Sequence, residues 1–142
     1  MPKLTPYRMD PALSVEGIWF DFQAGTQSPL EGPHPSNICF RVARWNNPRF
    51  RAERAAVLEV SQGHGDAGDL LRKANAKAMA RYVLIDWSNV DRDDGTPWAY
   101  SPEEAEKILL DDAYDQVRQF IIECATRVDL FRSKLEDDAA GN

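Results

Sequence analysis

Residues 83–132, reading VLIDWSNVDRDDGTPWAYSPEEAEKILLDDAYDQVRQFIIECATRVDLFR, decide the fold, because they hold the clearest helix start and the longest apolar stripe in the chain. Ser101-Pro-Glu-Glu104 is a capping box with proline at the first helical position, where a missing N–H costs nothing. The helix that follows turns Ala105, Ile108 and Leu109 inward. Asp111-Asp112 breaks and restarts it. Tyr114, Val117, Ile121, Cys124, Val128 and Phe131 then recur at steps of three and four, a stripe of about 3.5 residues per repeat that predicts a helix from Asp112 to Arg132. Phe120, Ile122 and Leu130 fall outside the stripe, so this helix carries more apolar surface than one buried side needs. That surplus is covered within the fold or awaits another chain.

Upstream of this stretch, Leu71, Ala74, Ala78, Tyr82 and Ile85 mark an amphipathic helix from about Ala67 to Trp87. Its ending VLIDW is apolar and β-branched enough to be either a last helical turn or a strand, and period alone does not choose. Asn47-Pro48 starts an earlier helix running to about Ser61, with Asn47 accepting a bond from a first-turn N–H. Gly17–Phe22 and Ile38–Trp45 alternate apolar and polar residues and are natural antiparallel partners. Gln23–Asn37, with three prolines and two glycines, is a long irregular loop between them. These elements define an α+β fold, mainly α: an N-terminal two-stranded antiparallel sheet packed on about four helices. Residues 1–16 read as a flexible arm, 17–135 as a single globular domain and 136–142 as a disordered acidic tail.

At 142 residues and 43% apolar content, the chain can build a core without disulfides or metal. Cys39 and Cys124 lie far apart in apolar stretches and are expected as buried, reduced thiols. No run approaches the roughly 18 residues of a membrane-spanning helix, and the start lacks a signal-peptide h-region. The net charge of −6 argues against general nucleic-acid binding. Charge is unevenly spread: residues 41–82 hold nine basic side chains against four acidic, and residues 101–138 eleven acidic against five basic. Neutralisation of one half by the other within the fold is the leading expectation, and binding of a partner of opposite sign by each half is the alternative.

Three patterns invite a chemical reading and fail on context. Gly63–Gly68 matches GxGxxG and Asp86 sits near the ribose-binding distance, yet Val57–Val60 more readily completes a helix than the strand such a site needs. A helix-to-helix loop, with Asp66 capping the next helix, accounts for it better. Asp91, Asp93, Asp94 and Gly95 suggest a calcium loop, but with Gly95 at the sixth position the first and twelfth would be Val90 and Ser101. A turn built on Asp94-Gly95 is the simpler use. Arg41, Arg44, Arg49, Arg51 and Arg54, with Trp45 and Phe50 among them, form a basic patch read as a solvated helix face. His34 and His64 fall in predicted loops without ligand spacing. No catalytic, cofactor-binding or metal-binding residue is expected, and an interaction protein is the default.

Ile85-Asp-Trp87, Asp94-Gly-Thr-Pro-Trp98, Tyr100-Ser-Pro-Glu-Glu104, Phe120-Ile-Ile-Glu-Cys-Ala125 and Asp129-Leu-Phe131 together resemble the tail assembly chaperones encoded by long-tailed bacteriophages and prophages. Ala43–Phe50 and the strand near Gly17 extend the similarity over about residues 12–132. The resemblance implies a non-enzymatic protein of the host bacterial cytoplasm that coats the tape-measure protein, and engages tail-tube subunits, during tail assembly. Trp98, Tyr100, Phe120, Ile122 and Leu130 are then the candidate partner-binding residues. A minor tail or connector protein retained in the virion is the alternative, and a nucleotide-binding enzyme a distant third.

Overall fold

The computed structural model describes residues 2–61 and 65–133. Its centre is a sheet of four antiparallel strands: β1 (Ile18–Asp21), β2 (Thr26–Gln27), β3 (Cys39–Val42) and β4 (Leu84–Ser88), in the order β2-β1-β3-β4. Among the described residues five α-helices lie around it: α1 (Pro11–Glu16), α2 (Pro48–Ser61), α3 (Ala67–Tyr82), α4 (Pro102–Leu110) and α5 (Asp115–Ala125).

The expected two-stranded sheet on about four helices is therefore corrected to a mixed α and β fold with a four-stranded sheet and five helices. The β1–β3 pair forms as the alternation predicts, with Phe20 opposite Phe40 and Ile18 opposite Val42. The two further strands carry weak signals. β2 is only two exposed residues inside the predicted loop, too short to show a period. β4 follows α3 with only Val83 between them and no Gly or Pro to mark the boundary. It forms because β3 presents a second row of backbone groups that must be paired, and a β-branched, aromatic run is suited to pair them. Val83 leaves the helix with its N–H still bonded to Met79 C=O, and its own C=O accepts from Ala43 N–H at 2.8 Å. A register irregularity at Arg41/Val42 places Val42 opposite Leu84 and Phe40 opposite Trp87, so both β4 side chains reach the core.

Directly opposed residues share a face. Phe20, Phe40 and Trp87 form one apolar row, buried with residues of α3, α4 and α5, while Trp19, Arg41 and Asp86 point to the other side. Gly17 precedes β1 at φ +83°, and a Cβ there would lie 2.9 Å from Val42 O, so only glycine lets the strands meet.

The α2–α3 hairpin leaves and re-enters the sheet at one end, where Asn47 pins it. Fully buried, Asn47 accepts from Phe50 N–H at 3.0 Å, the predicted cap, and donates to Arg44 C=O and Tyr82 C=O, each at 2.8 Å. Beyond this anchor α2 buries only Phe50. Buried Ala74, Ala76, Ala78 and Ala80 let α3 pack closely between α2 and α4.

The helix predicted over 112–132 is also shorter than its stripe. A 3-10 turn at Asp112–Tyr114 leads into α5, which stops at Ala125, and a second 3-10 turn spans Val128–Phe131. Two partners compete for the terminal carbonyls: Thr126 Oγ1 bonds Ile122 C=O and Glu123 C=O, and Trp45 N–H takes Ala125 C=O at 2.9 Å. Within residues 1–16, expected as an arm, Asp10 caps α1 and its N–H bonds Phe131 C=O, while Ser14 is buried against Arg44. The predicted acidic tail, 136–142, lies outside the described residues. No helix among the described residues is long and apolar enough to cross a membrane.

Candidate functional site

The five residues nominated from the sequence do not converge on one surface. Trp98 and Tyr100 pack edge-on against Trp87, with ring centroids 5.8 and 5.2 Å away. Trp87 Nε1 donates to Trp98 C=O at 2.6 Å, and Arg92 lies over the Trp98 ring. The Tyr100 hydroxyl is within reach of two carbonyls, Ala80 at 2.6 Å and Leu84 at 2.7 Å, spanning the helix-to-strand switch. Burial pushes its pKa up to about 12, reinforced by the charge on Asp86. These two aromatics brace β4 and the end of α3. Phe120 stacks edge-on with Phe22 at 5.1 Å and lies 6.4 Å from Phe40, closing the core under the sheet.

Ile122 and Leu130 remain at open places, on different sides. Leu130 lines a groove of about 560 Å³ with Trp19, Leu30, Arg41 and Arg132. Ile122 lines a smaller cavity of about 150 Å³ where α3, α4 and α5 meet. Trp45, Met79 and Leu109 complete its apolar wall, and Arg72 and Arg118 contribute guanidinium groups. Arg72 bonds Leu110 C=O at 3.3 Å and pairs with Asp69 at 3.1 Å; Arg118 pairs with Asp115 one turn away. Asn75 also lines the cavity, and its Oδ1 is buried with no hydrogen-bond partner. The sequence points to Ile122 but not to Trp45, Arg72, Asn75, Met79 or Arg118. Arg72, Asn75 and Met79 do recur at helical spacing, so two polar residues share one face of α3 with the buried Met79.

Among the described residues, the basic stretch is largely unneutralised: of the nine cationic side chains in residues 41–82, only Arg81 reaches the acidic half there, pairing with Glu106 at 3.2 Å and Glu103 at 4.0 Å. Arg72 and Lys73 share Asp69 within their own half. The remaining six, including the five arginines between 41 and 54, have no acidic partner among the described residues. Arg54 lies 5.3 Å from the Phe50 ring centroid, and Phe50 packs at 4.8 Å on Trp45, which links this group to the cavity wall.

The patterns rejected as chemistry take structural forms. α2 runs through Val57–Val60 into the glycine-rich segment, so a helix rather than a strand precedes it, and Asp66 Oδ1 caps α3 by accepting from Asp69 N–H. Gly63 and His64 lie outside the described residues. Asp94 accepts from both the N–H and the hydroxyl of Thr96, bonds that hold its carboxyl below the usual range, and Gly95 turns the chain at φ +85°. Among the described residues no three His, Cys, Asp or Glu side chains cluster as metal ligands.

The model of the YdaY prophage protein family matches residues 41–142, and the chain belongs to that family. It is thus a prophage protein. The match takes in the end of β3, all of β4 and α2 to α5, and with them every residue lining the smaller cavity, whereas Leu13 to Glu31 of the larger groove precede it. No curated protein and no solved structure matches the chain.

Proposed function

We propose that this prophage protein is a non-enzymatic tail assembly chaperone, binding helical segments of the tape-measure protein, tail-tube subunits or both until the tail is built. The observation that carries the reading is the open apolar cavity at the junction of α3, α4 and α5, edged by Arg72 and Arg118 and lying wholly within the family-matched part of the chain. Such a cavity suits an anchor side chain of an amphipathic helix laid with its apolar face in a groove. The similarity of residues 12–132 to tail assembly chaperones supports the same reading. A chaperone must also let go, which modest contacts permit and one tight site does not.

The test is co-expression with the tape-measure protein of the same prophage. The expected result is that this chain keeps the tape-measure protein soluble, is recovered with it, and is absent from purified particles by mass spectrometry. An insoluble tape-measure protein in its presence sinks the proposal, and stoichiometric retention in particles replaces it with a structural tail component.

A further inference from the structure

We infer that the cavity between α3, α4 and α5 is the anchor site for an acidic amphipathic helix, taking one aliphatic side chain between Trp45 and Ile122 while flanking carboxylates meet Arg72, Arg118 and Arg54. This rests on the assembly-chaperone reading for where the helix comes from, and names the chemistry the site selects. Two independent features point the same way.

The first is shape and lining. The cavity holds about 150 Å³ and is walled by Trp45, Met79, Leu109 and Ile122, so it suits a branched or unbranched aliphatic side chain. The second is charge. Among the described residues the acidic half pairs only with Arg81 of the basic stretch, and Arg54, lying over the Phe50 ring that packs on Trp45, has no acidic partner there. The acidic partners of Arg72 and Arg118 are the half-exposed Asp69 and Asp115, which an incoming carboxylate can replace at little cost. The apolar wall favours a peptide over nucleic acid, whose contacts are mainly to phosphate.

Two synthetic helical peptides, one of Leu and Glu and its mirror of Leu and Lys, test the inference by NMR on the full chain. The Leu/Glu peptide is expected to shift the Trp45 indole and Ile122 methyl resonances, and the Leu/Lys peptide to leave them in place. Arg118→Glu and Ile122→Asp should each weaken the Leu/Glu complex about tenfold or more. Arg118 is partly exposed, so its variant keeps the test valid should Ile122→Asp fold poorly. Equal binding of both peptides, binding of neither, or shifts confined to Trp19 and Leu130 overturns the inference. So do the same shifts produced by a short DNA duplex, or by raising the protein concentration alone, which marks a second copy as the occupant. Tape-measure capture separates the two claims. Capture that is undiminished by Arg118→Glu overturns the cavity and spares the chaperone reading; Leu/Glu binding without capture supports the cavity and removes that reading.

Discussion

Asn47 shows how one side chain can hold a junction. Its amide meets one donor and two acceptors from three separate places: the first turn of α2, the end of the β3 segment and the last turn of α3. Asn47→Ala removes the partner of Phe50 N–H and of Tyr82 C=O in a fully buried site, while Arg44 C=O keeps the bond from the Asn47 backbone N–H, and each buried polar group left unpaired costs about 1–3 kcal/mol. The expected loss is roughly 3 kcal/mol, read as a fall in the urea midpoint at unchanged slope. Asn47→Asp should be no better, since it keeps the cap but sets a carboxylate against two carbonyls. Asp21 makes a different prediction. Burial alone raises its pKa, but bonds from Ala24 N–H and the Asn37 amide outweigh this and leave it below the ordinary 3.8. A lowered folded pKa stabilises fully above the unfolded value and is lost as pH falls through the folded one. The stability difference between the wild type and Asp21→Asn should therefore be constant near neutrality and shrink below about pH 4, as followed by urea titrations across pH. The cap at Asn47 was legible because asparagine before proline has a strong local meaning. Its two bonds to distant carbonyls were not, because they depend on how β3 and α3 come together.

Elements with local start signals were readable, and those defined by a distant partner were not. The beginnings of α2, α3 and α4 all follow capping residues that accept the expected N–H bonds. β2 and β4 had no such marks, since a strand exists by virtue of the neighbour it pairs with. The long stripe over 114–131 misled for a related reason: its period continues past Ala125, but Trp45 and Thr126 take the carbonyls the next turn would need. The candidate site was half legible in the same way. Ile122 stood out as surplus apolar surface on its own helix, whereas the cavity wall opposite it comes from three other segments. Ser101 tests the value of a local signal. Its Oγ accepts from Glu104 N–H at 3.1 Å, while the Glu104 carboxylate lies toward Lys107 at 3.7 Å and Arg92 at 4.0 Å. Ser101→Ala should cost about 1 kcal/mol, the ordinary value of a single cap. Glu104→Gln should cost only a few tenths, since surface ion pairs are weak. Thermal melts of the two variants distinguish these magnitudes.

Across the whole molecule, the sheet and the helices are interlocked rather than stacked as separable halves. β4 enters the sheet straight from α3, Trp45 joins β3 to the end of α5, and the N-terminal segment is tied to residues 131–133 by backbone bonds from Asp10 N–H to Phe131 C=O and from Ser133 N–H to Arg8 C=O. One cooperative unfolding unit follows from this arrangement, and the two cysteines report on it from the sheet and from a helix. Cys39 lies in β3 and Cys124 in α5, both free and buried. Burial raises the pKa of each thiol, that of Cys124 to about 12, so neither offers much thiolate to a reagent while the chain is folded. Labelling must then wait for an opening that exposes the thiol. If the sheet and helices open together, both cysteines should react with a thiol reagent at one rate, and that rate should rise with urea along the global unfolding curve. Mass spectrometry of partly labelled protein would then show unlabelled and doubly labelled chains with little between. A build-up of chains labelled only at Cys124 would mean that α5 detaches first, exposing the wall of the cavity that Ile122 lines before the sheet gives way.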